Sequence, residues 1–186
     1  MKSSVNAIKE LRDLTCASVA HCKKALEETK GDIKQAVILL RKQGLEIAAK
    51  KQGRAAKEGR VDCYIHHGNK IGVLLDIHYG NKIGVLLEVD CESDFVARNE
   101  DFMKFTKDLA MQIAATSPEY IKKEDVPEEV LKHEKNKEEY YKNSCLLEQV
   151  FVKDSSLLIK DYLGSIVAKL GENIVIRRFI RYKIGE

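Results

Sequence analysis

The sequence predicts an α+β protein, made of a small N-terminal helical bundle, a helical linker and a larger domain in which helices pack on a small antiparallel sheet. Three patterns support this fold. Over the first sixty residues, apolar side chains recur with helical spacing. Residues 61–89 are rich in Val, Ile, Leu and Tyr and are interrupted by Gly-Asn-Lys, which is typical of strands joined by turns. Apolar and basic residues alternate over residues 174–184, as in a strand with two different faces.

Three short helices joined by tight turns are predicted within residues 1–45. Gly31 and Asp32 are expected to end the second helix and to cap the third. The third helix carries a regular apolar stripe, formed by Ile33, Ala36, Val37 and Leu40. Gly44 is expected to end it. Such a bundle is close to the lower size limit for independent folding.

A further helix is expected over residues 45–58, with Gly59 at its end. This stretch is rich in Ala and Lys and has few large apolar residues to bury, so it suits a linker better than a core element. The predicted division of the chain is a three-helix bundle over residues 1–45, a helical linker over residues 46–60 and an α+β core domain over residues 61–186.

A near-perfect tandem repeat lies in the strand-rich stretch. Residues 65–76 are followed at once by a second copy, residues 77–88. Because the shift between the copies is an even number of residues, either copy presents its side chains to the same face of a sheet. We expect residues 83–88 of the second copy to lie in the sheet, while the extra copy adds a strand or loops out.

The second domain contains three further helical patterns. One helix is expected to begin near Asn99 or Asp101 and to end before Pro118. Its buried stripe comprises Phe102, Phe105, Leu109, Ile113 and Ala114. Residues 128–142 have helical spacing but are mostly charged, so we expect an exposed helix there. Residues 157–170 form another amphipathic pattern.

Composition excludes several classes of protein. The chain has 32 basic and 29 acidic residues, and a net charge of +3 is too small to require a polyanionic partner. No apolar run approaches the roughly 18 residues of a membrane span. The N-terminus begins with an amphipathic pattern and not with the apolar block of a secretory signal, so we expect a cytoplasmic protein. Five scattered cysteines without a C-x-x-C pair favour reduced thiols.

No constellation of catalytic residues is found. The phosphate-binding loop, the G-x-S-x-G nucleophile motif and the H-E-x-x-H zinc motif are all absent. Cys63 with His66 and His67 is the nearest approach to a metal site, but it lacks the tight ligand pairs of structural zinc. We therefore expect no metal, no cofactor and no enzymatic activity, and a protein that acts by binding.

Three groups of segments, in order along the chain, resemble elongation factor Ts. They are residues 8–12, 22–26, 31–33 and 48–51; residues 88–99; and residues 147–154 with residues 171–179. The middle group, Glu-Val-Asp-Cys-Glu-Ser-Asp-Phe-Val-Ala-Arg-Asn, is similar to the most diagnostic segment of the family. The likeness extends over nearly the whole chain.

The resemblance implies a fold and a function. The fold is a three-helix bundle like a ubiquitin-associated domain, a helical linker and an α+β core that can form a homodimer. The function is nucleotide exchange on the GTPase elongation factor Tu (EF-Tu) during translation elongation. The implied partners are the GTPase domain of EF-Tu and a second copy of the chain, with no membrane and no direct nucleic-acid contact.

The Thr-Asp-Phe-Val motif of the family corresponds to Ser93, Asp94, Phe95 and Val96. The resemblance implies that Asp94 and Phe95 enter between helices of the GTPase domain and disturb the shell that holds Mg²⁺ and phosphate. The residues alone also allow a simpler interpretation, in which Ser93 or Asp94 caps a helix and Phe95 belongs to the core.

A second contact with the GTPase domain is implied for the N-terminal bundle. Its candidate residues are Arg12, Val19, Ala20 and Lys23. For Arg12 and Lys23, which match basic positions of the family, the simpler interpretation is a solvated surface.

Residues 15–20 depart from the common Thr-Gly-Ala-Gly-Met-Met pattern, since two glycines and two methionines are replaced. Residues 131–147 also form a shorter segment than is usual in the family.

Two other classes of protein compete with this interpretation. A basic RNA-binding accessory protein of the translation machinery is favoured by the positive charge of residues 50–60 and by Arg177, Arg178 and Arg181. The nearly balanced overall charge and the lack of an RNA-binding aromatic motif argue against it. A ubiquitin-type adaptor would account for the first bundle only.

Overall fold

The computed structural model describes residues 5–15, 17–66 and 83–185, with residues 61–66 described by their backbone. The helices and strands of this part of the chain are α1 (Val5–Thr15), α2 (Val19–Glu28), α3 (Ile33–Lys51), β1 (Glu58–His66), β2 (Ile83–Cys91), α4 (Asp94–Ala97), α5 (Glu100–Thr116), α6 (Glu128–His133), α7 (Lys137–Ser144), β3 (Val150–Phe151), β4 (Asp154–Leu158), α8 (Ile159–Leu170) and β5 (Ile174–Lys183). This mixture of helices and antiparallel strands agrees with the predicted α+β class. The chain divides into two compact units, residues 1–55 with 160–174 and residues 56–159 with 175–186.

The first unit is built on the predicted bundle of three helices. Its core is formed by apolar side chains from all three, namely Leu11, Cys22, Ala25, Leu26, Ala36 and Leu40. Ser18 caps α2 by accepting a hydrogen bond from the amide of His21, and Asp32 caps α3 by accepting one from the amide of Gln35. The likeness of this bundle to a ubiquitin-associated domain stays a prediction.

The prediction that Gly44 ends α3 is wrong. The helix continues through Gly44, which is buried, and ends at Lys51. A Cβ atom at Gly44 would lie 3.5 Å from the carbonyl carbon of Gly164 in α8, an ordinary van der Waals distance, so α3 packs against α8 at this position. The loss of helix propensity at a glycine is only about 1 kcal/mol, which a packed contact can offset.

The separate linker helix predicted over residues 45–58 is also wrong. Residues 45–51 extend α3, and strand β1 already begins at Glu58. Gly59 does not end a helix, since it lies inside β1, opposite Asp90 of β2. The Ala- and Lys-rich composition indicated a helix correctly for residues 45–51 only, and these residues continue α3.

The second unit contains a three-stranded sheet in the order β1-β2-β5, with β2 in the centre. Strands β1 and β2 are antiparallel, with a register that runs from Glu58 opposite Cys91 to His66 opposite Ile83. Alternate side chains of β2 are buried, namely Val85, Leu87, Val89 and Cys91. Helix α5 packs against β1 and β2, and its predicted apolar stripe is buried in full.

Part of the hypothesis about the tandem repeat can be followed in the structure. Residues 83–88 of the second copy lie in β2 and pair with β1, as expected. Of the first copy, only residues 65–66 belong to the described part, at the end of β1. The question of whether the extra copy adds a strand or loops out falls outside the described residues.

The charged stretch over residues 128–142 forms two helices instead of one. Helix α6 ends at His133, and α7 begins after Asn136, whose side chain accepts a hydrogen bond from the amide of Glu139 at 3.3 Å. Asparagine is a favoured N-cap residue, so it starts a new helix where the predicted one would have continued. Most side chains of both helices are exposed, as expected.

The C-terminal helix and strand lie where they were predicted, apart from one boundary. Helix α8 begins at Ile159 because the residues before it form β4, which pairs with β3. The single buried apolar face predicted for β5 is wrong for the second half of the strand, because only Ile174 and Ile176 of that face are buried. Ile180 and Tyr182 are exposed further along the strand.

Candidate partner-binding site

An exposed aromatic ring stands on a short turn of helix directly after the central strand β2. Helix α4 begins where Ser93 accepts a hydrogen bond from the amide of Val96, with 3.3 Å between nitrogen and hydroxyl oxygen. Phe95 is 80% exposed, whereas Val96 next to it is only 6% exposed. Successive side chains on a helix point about 100° apart, so when Val96 faces the interior Phe95 faces water.

The position of each motif residue follows from this turn. Ser93 is an N-cap, as the simpler interpretation proposed, but Phe95 does not belong to the core. Asp94 is exposed beside Phe95. Val96 instead holds the turn to the interior of the protein, so its predicted contact with a partner stays a prediction.

The turn is fastened at both ends. At its start, the thiol of Cys91 donates a hydrogen bond to the carbonyl oxygen of Ser93, with 3.1 Å between sulfur and oxygen. At its end, the amide of Asn99 donates to the carbonyl of Val96 at 2.9 Å. Asn99 then caps α5 by accepting a hydrogen bond from the amide of Asp101 at 2.8 Å. A single exposed apolar residue is common on protein surfaces. A ring held by a turn with two fixed ends is a better candidate for a docking group.

The charge beside the ring is paired within the turn. A guanidinium nitrogen of Arg98 lies 3.2 Å from a carboxylate oxygen of Asp94, and both side chains are exposed. Pairs of this kind contribute about 0–1 kcal/mol, because water screens them. A partner could therefore separate Asp94 from Arg98 at little cost.

The four candidate residues of the N-terminal bundle all lie on its surface. Arg12 is exposed on α1, and Val19, Ala20 and Lys23 are exposed on the first turns of α2. Val19 and Lys23 are one helical turn apart and so lie on the same side of α2. Burial raises the pKa of the Cys22 thiol, against a hydrogen bond with Thr15 and the charge of Arg12.

The buried thiol of Cys145 is poorly suited to act as a nucleophile. Burial, helped by the negative charge of Glu148, raises the pKa of Cys145 to about 11. A thiol with this pKa is protonated at neutral pH and is a poor nucleophile. Among the side chains of residues 5–15, 17–60 and 83–185, no three His, Cys, Asp or Glu residues are grouped so that they could hold a metal ion. The side chains of Cys63, His66 and His67 lie outside the described residues.

Of the helices in the described ranges, none combines the length and the apolar character needed to cross a bilayer.

Several residues that support the turn were not found from the sequence. The most important are Gly59 on β1, Cys91 on β2 and Arg177 on β5. Gly59 and Arg177 act through contacts between strands, and Arg177 is 87 residues away from its partner Asp90. Cys91 acts locally, through its hydrogen bond to the carbonyl of Ser93. Only the Asp-Cys-Glu-Ser sequence before Phe95 gave a local signal.

The sequence model of one protein family, described as elongation factor TS, matches residues 2–139. The chain belongs to the elongation factor Ts family. The match includes both the N-terminal bundle and the exposed turn with Phe95, and it confirms the resemblance found in the sequence. Membership makes the protein a translation elongation factor, with a role in protein biosynthesis.

Individual relatives are similar over nearly their whole length. Elongation factor Ts of Caldanaerobacter subterraneus subsp. tengcongensis is 47% identical, over 98% of this chain and 97% of the relative. The elongation factor Ts of Thermotoga neapolitana is 42% identical, over 100% and 99%. That of Geobacter sulfurreducens is 44% identical, over 100% and 91%.

Proposed function

We propose that the protein is a guanine-nucleotide exchange factor for EF-Tu, and that it releases GDP by inserting Phe95 and Asp94 into the GTPase domain. The observation that carries this proposal is the exposure of the Phe95 ring on a turn with fixed ends, within the motif characteristic of the elongation factor Ts family. An aromatic side chain that becomes fully desolvated in an interface can contribute about 2 kcal/mol or more to binding.

The mechanism needs no catalytic group. Phe95 enters between two helices of the GTPase domain, and the carboxylate of Asp94 enters with it. Their displacement of the Mg²⁺ shell removes the charge that compensates the phosphates of GDP. If the factor weakens the binding of GDP by a certain free energy, GDP weakens the binding of the factor by the same amount. A transient ternary complex then releases either ligand faster.

The N-terminal bundle supplies a second contact, which contributes to affinity but not to the displacement of Mg²⁺. Its exposed residues Arg12, Val19, Ala20 and Lys23 are the candidates. Substitution Lys23→Glu should therefore raise the concentration of factor that gives half-maximal exchange, while the maximal rate stays close to that of the wild type. A fall in the maximal rate alone would assign the bundle a different role.

The central experiment is stopped-flow release of fluorescent GDP from EF-Tu. We expect Phe95→Ala to abolish most of the accelerated release without changing the thermal unfolding midpoint. Tyr182→Ala is a matched control, because this aromatic side chain is also exposed, at 68%, and lies in the same compact unit. It should exchange like the wild type. Normal exchange by Phe95→Ala would refute the proposed role of the ring.

A magnesium titration tests the mechanism separately. If the factor acts by displacing Mg²⁺, excess chelator should release GDP quickly without the factor and should reduce the difference between the wild type and Phe95→Ala. Raising free Mg²⁺ should slow release by the wild type. Acceleration that does not depend on Mg²⁺ would place the action of the factor elsewhere in the nucleotide site.

The RNA-binding alternative has lost part of its support. Arg177 is paired with Asp90 and Arg178 with Glu88, so two of the arginines that favoured a polyanionic partner are already partly neutralised. Titration with RNA at two salt concentrations distinguishes the functions, because phosphate contacts would give a steep salt dependence.

Formation of a homodimer is a separate part of the proposal, and sedimentation over a range of concentrations measures it.

A further inference from the structure

The last residues of β2 are held from one side by an arginine of β5. Two nitrogens of the Arg177 guanidinium, Nε at 2.8 Å and Nη2 at 2.7 Å, contact the same oxygen, Oδ2 of Asp90. The side chain of Asp90 is only 14% exposed. Only Cys91, Glu92 and Ser93 separate Asp90 from the exposed Asp94 and Phe95. The pair therefore lies at the base of the turn.

The other side of β2 is held by β1. Gly59 is opposite Asp90 in the strand register. A Cβ atom at Gly59 would lie 2.4 Å from the carbonyl oxygen of Val89 and 2.7 Å from the Cα of Asp90, distances that real Cβ atoms do not reach. Gly59 has a φ of +154°, and only a residue without a Cβ atom fits against the backbone of β2 in this conformation. The direction in which the chain enters the turn depends on both neighbours.

We propose that Arg177 is a positioning residue for nucleotide exchange, and that it sets the direction of Phe95 by fixing Asp90. This inference rests on the proposed function of Phe95. Without Arg177, the mostly buried carboxylate of Asp90 would lack this cation and would move toward water. That movement would shift the backbone at the end of β2 and with it Ser93, whose carbonyl accepts a hydrogen bond from the thiol of Cys91.

The chain offers a matched control for this pair. Arg178 contacts Glu88 in a second pair between β5 and β2, two residues further from the turn. We therefore compare Arg177→Gln with Arg178→Gln. Both changes remove one exposed guanidinium and one ion pair, but the unfolding midpoint should fall somewhat more in Arg177→Gln, because Asp90 is more buried than Glu88. Unfolding midpoints are therefore measured for both variants, and a difference in function that exceeds the difference in stability reports on position.

In the exchange assay, Arg177→Gln should lower the maximal rate of GDP release by about fivefold and change the half-saturating concentration of factor by less than about twofold. Arg178→Gln should leave both values unchanged. Arg177→Lys, which keeps the charge, should restore most of the rate. Asp90→Asn should resemble Arg177→Gln, and the double variant should be no slower than either, because both changes break one interaction.

Hydrogen exchange provides a measurement that does not involve EF-Tu. In the turn, the amides of Val96 and Ala97 donate to the hydroxyl and the carbonyl of Ser93. Arg177→Gln should speed the exchange of these two amides, and Arg178→Gln should not. This measurement tests whether Arg177 holds the turn, whatever the protein does to EF-Tu. If the wild-type protein proved unable to release GDP, only the proposed function would be refuted.

Two outcomes overturn the inference. Identical behaviour of Arg177→Gln and Arg178→Gln in hydrogen exchange would show that the pair does not hold the turn. Slower GDP release by Arg177→Gln with unchanged amide exchange at Val96 and Ala97 would instead assign Arg177 to direct contact with the partner.

Discussion

Two phenylalanines on successive helices have opposite environments. Phe95 on α4 is 80% exposed, and Phe102 on α5 is fully buried. The difference follows from the length of the helices. Helix α4 has four residues and can turn only Val96 and Ala97 inward, whereas the seventeen residues of α5 lie along the sheet and bury a whole face. The comparison separates a ring that maintains the fold from a ring that is free to serve a partner.

The largest expected effect on stability comes from removing each of these two rings in turn. Phe102→Ala should destabilise the protein by about 3–5 kcal/mol, because it leaves a cavity in the core. Phe95→Ala should change the free energy of unfolding by less than about 0.5 kcal/mol, as is usual for exposed positions. Chemical denaturation measures both values. Similar losses of stability in the two variants would break the comparison.

The second effect concerns the close approach of β1 to the base of the turn. Gly59→Ala should destabilise by about 1–3 kcal/mol, because its Cβ would overlap backbone atoms of β2. Gly53→Ala is the control, since a Cβ at Gly53 would meet nothing within 4 Å. Denaturation curves of both variants decide the matter, and a stable Gly59→Ala protein would show that the strands separate easily.

The third effect concerns the start of α4. Ser93→Ala removes the hydroxyl that accepts a hydrogen bond from the amide of Val96 and should cost about 1 kcal/mol. Ser93→Thr keeps a hydroxyl and should remain within about 0.5 kcal/mol of the wild type. Thermal unfolding measures stability, and GDP release should fall only in Ser93→Ala. Equal exchange by both variants would mean that the cap does not orient Phe95.

The smallest effect is expected at the exposed ion pair. Arg98→Gln should change stability by less than about 1 kcal/mol, because Arg98 and Asp94 are both solvated. A loss as large as that of Ser93→Ala in the same thermal experiment would show that the pair, and not the cap, holds the turn.

Local periodicity was sufficient to predict the elements that make up most of the fold. The buried stripe of α5 was correct because one face of this helix packs against the sheet. The apolar face predicted for β5 was correct only for Ile174 and Ile176. The errors occurred where a residue far away in the sequence determines whether a helix continues or ends. Gly44 interrupts the pattern of α3 but is accommodated by Gly164, and no local feature distinguishes a helix-ending glycine from one at a helix contact.

The candidate site was predictable only in part. Ser93 could be recognised as a cap, but the residues alone allowed Phe95 to be buried or exposed, and the family motif favoured the exposed position. Val96 follows Phe95 in the motif and yet faces inward. Which of the two side chains is buried depends on how α4 packs against the rest of the protein. The pair between Asp90 and Arg177 depends on the neighbouring positions of β2 and β5, which sequence spacing does not reveal.

The fixed ends of α4 also bear on how quickly the factor can work. A loop that had to order itself after each encounter would slow association and lose entropy every time. Here the backbone of α4 is already closed by the caps at Ser93 and Asn99. Only the side-chain rotations of Phe95 are left to be restricted, so a partner that binds this ring would order little else in the turn.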